Sequence, residues 1–159
     1  MSRIFQVQSR TTIAAPPEQV FDTVVRPAEW PGLHPISHIV EVPDGELKVG
    51  TSFIETAELG GQLTHIVWRV DSLRRPENWM ISGRIAFGPQ FGDLSAVLTV
   101  VFSVTELDPG HSRLQRSMLT AVSSVAPLPD WFLGAFGAEA LHDRYLVEVK
   151  ARAESAQPR

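Results

Sequence analysis

The chain has no cysteine. That absence removes disulfides, thiolate metal ligands and a cysteine nucleophile, and it leaves the redox compartment open. Lysine is scarce, present only as Lys48 and Lys150, and the arginines form no run. With a net charge of −4, no phosphate-tracking surface is expected and nucleic acid is a poor partner class. No apolar stretch approaches the length of a membrane span, and "MSRIFQVQSRTT" lacks the apolar centre of a signal peptide. There is no serine triad motif, P-loop or dinucleotide fingerprint, and "GAFGAE" at 134–139 lacks the GxGxxG spacing. These absences predict a cytoplasmic protein with no metal and no cofactor.

What is present is ordinary for a globular chain. At 159 residues, 43% apolar and 20% charged, one domain over 1–159 is expected, with its core at about 4–152. "IFQVQSRTTI" alternates with period two, as a half-buried strand does. "APPEQVFDTVV" then reads as a short helix, with proline in its first turn and Val20, Phe21 and Val24 at helical spacing. Pro27 and Pro31 bound a short connector carrying Trp30. From 36 to about 122 the pattern is almost all strand, in runs at 36–42, 51–58, 63–73, 79–86, 94–107 and 112–122. "GG", "RPEN", "FGPQFG" and "DPGH" between them are turn chemistry, so an antiparallel meander is predicted. A long apolar stripe from Leu128 through Phe132, Phe136, Leu141, Tyr145 and Val149 predicts a helix over about 129–153. Gly134 and Gly137 weaken its first turns, and the tail "AESAQPR" is expected to fray.

The "GG" at 60–61 sets a register. If Leu59 pairs with Gln62, Phe53 lies opposite Trp68 and Glu55 opposite Ile66, on the face richer in large apolar groups. Continuing the meander puts Trp79, Ile81, Gly83 and Ile85 on that inner face, followed by Leu98, Val100, Phe102 and Val104. The last strand depends on its turn: a three-residue turn after Asp108 brings Leu114, Arg116 and Met118 inward, and a two-residue turn sends Arg116 outside. Glu55 therefore sits on an apolar face with Arg116 as its one cationic candidate. It is either paired or facing a wet cavity.

The order of elements, with "IAAPPEQVFDTV" after the first strand, "WPGLHP" before the second and "VDSLRRPENW" at the fourth turn, resembles the START-related, polyketide-cyclase-like helix-grip superfamily (SRPBCC). The resemblance implies an α+β fold in which a seven-stranded antiparallel sheet wraps a long C-terminal helix, with two short helices after strand 1 and an apolar tunnel inside. It carries no universal catalytic motif, so no catalytic residue is transferred.

Candidate residues follow from the inner face. His34 and His38 are four apart, but Pro35 disfavours a helix, and four extended residues span about 13 Å, too far for two ligands of one ion. His38 shares strand parity with Ile36, Val40 and Val42, so it is expected to face the cavity, either as a catalytic group or as a wall histidine. Glu55 is the second catalytic candidate, with a stabilising ion pair as the alternative role. Arg116 would hold a ligand carboxylate or phenolate, if its register brings it in. Apolar ligand contacts are expected from Trp30, Phe53, Ile66, Trp68, Ile81 and Leu98, and also from Val100, Phe102, Met118, Phe132 and Phe136. "FGPQFGD" at 87–93 is either a lid or a pair of core anchors. The expected function is binding of a small hydrophobic or aromatic molecule in an internal cavity. The alternatives are a polyketide cyclase/dehydratase using the same cavity, and a protein-interaction module using the outer surface.

Overall fold

The computed structural model describes residues 2–156. Seven strands form one antiparallel sheet in the order β1-β7-β6-β5-β4-β3-β2. They are β1 (Ser2–Ile13), β2 (Ser37–Glu41), β3 (Ser52–Leu59), β4 (Gln62–Arg74), β5 (Asn78–Ala86), β6 (Ser95–Asp108) and β7 (His111–Ser123). Between β1 and β2 run α1 (Pro17–Val24) and a short 3-10 helix over Pro27–Gly32. The C-terminal helical region follows β7, and the whole is the helix-grip arrangement.

The meander register follows from its short turns. Leu59 pairs with Gln62, Phe53 with Trp68, and Glu55 with Ile66 across β3 and β4. Gly83 pairs with both Trp68 and Leu98, so the inner face continues through β5 into β6. Residues of that face are buried while those between them are mostly half-buried or exposed.

Of the three register shifts in the sheet, at Ser37/Ile39, Val70/Ser72 and Glu106/Asp108, the first and last decide where candidate site residues face. At the β6–β7 turn Asp108 pairs with His111, which is the two-residue connection, yet Arg116 points inward opposite Phe102. The register shifts by one between Glu106 and Asp108, and that extra residue restores the inner parity of Leu114, Arg116 and Met118. In β2 the register shifts between Ser37 and Ile39, so His38 is the unpaired extra residue. Val40 still lies opposite Glu55, but His38 is turned out.

The expected long helix is broken. α2 (Asp130–Phe136) ends at Gly137, and α3 (Ala140–Ser155) starts three residues on. Glycine at the junction stabilises no helical turn, and Ala138 beside it is exposed. α3 runs on to Ser155 rather than fraying at 153, and 157–159 lie outside the described residues. Tyr145, Leu146, Val149 and Ala153 bury one side of α3 against the sheet. Its far end is pinned by polar contacts: Ala14 N–H donates to Glu154 Oε2 (2.7 Å), and Lys150 Nζ donates to Thr12 O (2.6 Å). α2 closes the other end. Trp131 packs on Gly60, Phe87 and Phe91, so both phenylalanines of the 87–93 loop are anchors against α2. Among the described residues no helix is long and apolar enough to cross a membrane.

Candidate functional site

A cavity of about 40 Å³ lies between the inner face of the sheet and the helices. Its floor is apolar, built from Ile66, Ile81, Leu98, Val100 and Met118, all carried inward by the period-two register of β4 to β7. Trp68 and Phe102 extend that floor, and Trp30 forms the wall from the 3-10 turn. Trp30 meets the Phe53 and Trp68 rings edge-on, at centroid distances of 5.6 and 5.9 Å. Ala135 and Phe136 of α2 form the roof, with His142 and Tyr145 of α3 beside them.

Glu55 lies in this wall, 5% exposed. Trp68 Nε1–H donates to its Oε1 at 3.0 Å. Burial raises its pKa above the usual carboxylate value, opposed by the Trp68 hydrogen bond and by the charge of Arg116. Gly83 makes the Trp68 position possible. A Cβ there would come within 2.7 Å of the indole, so the bare backbone of β5 leaves the ring its place.

Arg116 enters from β7, 8% exposed. Its guanidinium carbon stands 5.6 Å from the Phe102 ring centroid and 5.4 Å from that of Tyr145. Arg116 Nη1 donates to His142 Nδ1 at 2.8 Å, and His142 Nε2 is 3.0 Å from Ala135 O. An arginine can only donate, so Nδ1 is the bare nitrogen and Nε2 carries the proton given to the carbonyl. His142 is thus a neutral imidazole of fixed tautomer joining β7, α3 and α2. Burial and then the Arg116 charge bring its pKa down to about 4. His34, in the connector before β2, lies 5.9 Å from His142 and 5.3 Å from Tyr145, ring to ring. Burial, Arg116 and His142 hold it well below the usual histidine value. Burial pushes the Tyr145 hydroxyl up to about 12, so it stays a neutral donor at neutral pH.

The structure thus brings Trp30, Glu55, Ile66, Trp68, Ile81, Leu98, Val100, Phe102, Arg116, Met118 and Phe136 to one cavity. It leaves three expected residues off the wall. His38 is the correction of most consequence: its side chain is 45% exposed and meets Glu58 Oε2 at 3.3 Å on the outside, because the bulge turns it away. Phe53 is buried behind Trp30 and Trp68. Phe132 is buried among Phe5, Phe87 and Phe136, one layer above the cavity. In the other direction, His34, Ile36, Ala135, His142 and Tyr145 line the cavity without having been singled out as ligand contacts. His142 had a legible signal, since it stands three residues before Tyr145 on the apolar stripe. His34 had none, because the Pro-rich connector carries no periodicity.

Comparison with known proteins agrees with this architecture. Protein I of penitrem biosynthesis cluster 1 from Penicillium ochrochloron is 27% identical over 155 residues, covering 94% of this chain and 97% of that protein. The crystal structure of the Zhui aromatase/cyclase from a Streptomyces species superposes with a TM-score of 0.71 at 18% identity, over 96% of this chain and 94% of that one. A START superfamily protein from Mycobacterium smegmatis gives 0.64 at 20% identity, over 94% and 97%. Residues 5–154 match the family model described as polyketide cyclase/dehydrase and lipid transport, and the chain belongs to that family.

Proposed function

We propose that the protein binds a small hydrophobic or aromatic molecule in the cavity between the sheet and α2–α3, with Glu55 and Arg116 fixing its orientation. One observation carries this reading: a cavity at the heart of the fold whose walls are aromatic and aliphatic, with few polar groups. At about 40 Å³ the cavity has room for roughly three waters, by a need of ~10–15 Å³ each. A ring-sized ligand therefore requires α2 to lift Ala135 and Phe136 away from the sheet. α2 is suited to this, being seven residues long with Gly134 inside it and Gly137 at its end. Native mass spectrometry of the purified protein, followed by denaturing extraction, tests the proposal. A co-purifying apolar compound is the expected result. A clean apo mass, together with no thermal shift across a panel of aromatic polyketides and lipids, would count against it and turn attention to the outer surface as a protein-binding face.

A second reading is favoured by Glu55 itself. A buried carboxyl with a raised pKa, held at one oxygen by Trp68, is able to take and return a proton. In a cyclase it would remove a proton from the carbon next to a ketone, while the ketone oxygen develops negative charge. The similarity to a biosynthesis-cluster protein and to an aromatase/cyclase fold supports this chemistry as the alternative. Glu55→Gln separates the two readings. It keeps an acceptor for Trp68, so binding is retained, and turnover falls by about 10²–10⁴ if Glu55 moves the proton.

A further inference from the structure

Arg116 is a buried cation without a counter-ion. It takes part in none of the ion pairs found among the described residues. Its one hydrogen-bond partner is a neutral imidazole, and its flanks are two aromatic rings. Glu55 lines the same cavity but is outside ion-pairing reach. A guanidinium stays protonated even when buried, so the charge cannot be shed. Leaving such a charge without a contacting anion is costly, and one hydrogen bond, two ring faces and the more distant pull of Glu55 offset only part of that cost.

The orphaned atoms around it share one chemistry. Arg116 Nε is buried without a hydrogen-bond partner, and Tyr145 Oη, which the Trp30 indole N–H approaches, is buried with no acceptor for its own hydrogen. Both belong to residues that line the cavity, and both carry a hydrogen to give. Donors without acceptors, next to a cation without an anion, describe the missing partner by its complement.

We infer that the cavity takes an apolar, ring-bearing molecule that ends in an anionic oxygen, a carboxylate or a phenolate or enolate, seated on Arg116 and Tyr145. The inference rests on the binding reading above and adds the charge class of the ligand. The apolar floor from Ile66 to Met118 would receive the ring, and the oxygen would stand where β7 meets α3.

Calorimetric titration of the wild-type protein with benzoate and 1-naphthoate, each against its own neutral amide, tests this directly. The acids should bind about ten- to a hundredfold more tightly than the amides, the range that a hydrogen bond to a charged group supplies. Arg116→Met should abolish the preference and Arg116→Lys should keep part of it. If neither variant folds, the wild-type comparison of acid with amide decides alone. Amides that bind as tightly as acids would overturn the inference while leaving the binding reading intact. Stabilisation by sodium chloride or phosphate equal to that by benzoate would place a simple inorganic ion at Arg116 and overturn the organic class. A co-purified neutral lipid with no acidic oxygen would also overturn it. If no probe binds and the native mass is that of the bare chain, the inference and the binding reading fall together.

Discussion

Arg116 and His142 hold each other in one state. Burial and then the guanidinium keep the imidazole neutral, and the imidazole gives the guanidinium its one acceptor. His142→Ala removes that acceptor and also the donor to Ala135 O, so it should destabilise the protein by about 3 kcal/mol in urea unfolding. His142→Asn, which can place an oxygen near the Nδ1 position, should recover part of the loss. A loss below about 1 kcal/mol in the alanine variant would mean that the pair is not structural. Glu55 acts with the opposite sign. Its proton is held more tightly in the folded than in the unfolded chain, so its contribution to stability declines as pH rises from about 4.5. Glu55→Gln should therefore flatten the decline of thermal midpoint on the neutral side, and an unchanged slope would show that another group causes it.

Among the elements, β5 contributes an absence. Gly83 leaves the space in which the Trp68 indole lies, and that indole holds Glu55. Gly83→Ala should push the ring aside, cost about 1–3 kcal/mol, and shift the Trp68 indole N–H resonance, with the β1–β7 pairing unaffected. An unmoved resonance would show that the ring accommodates the methyl group without leaving Glu55. α2 is the weak element of the fold, with only Phe132 and Phe136 buried. Its amides should exchange hydrogen faster than those of β5 to β7, and a bound ligand should slow them. Uniform protection across α2 and the sheet would argue against its lifting to admit a ligand.

For the whole molecule, the buried titratable groups set a domed pH profile. His34 and His142 resist protonation in the fold, whereas in the unfolded chain they take up protons below about 6.5. The stability that these two histidines contribute is therefore full above that value and falls as pH drops toward about 4, with His142 accounting for about 3 kcal/mol of the loss. Asp22, Asp108 and Glu154, each held below the usual carboxylate value by hydrogen bonds, add further loss at the acid end. A thermal midpoint rising steadily from pH 7 down to 4 would contradict this sign.

Much of this molecule is determined locally, and that part was readable. Period-two alternation and a two-residue Gly–Gly turn suffice to align β3 with β4, because a slip by one residue would turn Phe53 and Trp68 to solvent and Ile54 and Val67 to the core. Glu55 was therefore visible as a carboxyl on an apolar face, and so was the aromatic and aliphatic floor around it. The bulges were not. Whether β2 holds one residue more than its partner depends on both faces at once, on Ser37 against Ala57 inside and His38 against Glu58 outside, and no local pattern encodes that choice. The same holds at the β6–β7 turn, where the extra residue before Asp108 brings Arg116 into the cavity despite a two-residue connection. Sequence alone thus determined the strands, the meander from β2 to β7 and the presence of a carboxyl in an apolar interior, since sterics and burial period act over a few residues. The tertiary structure decided which histidines face the cavity, what Arg116 touches and how small the space is, since these depend on contacts between distant segments, such as that of His34 with His142 and Tyr145.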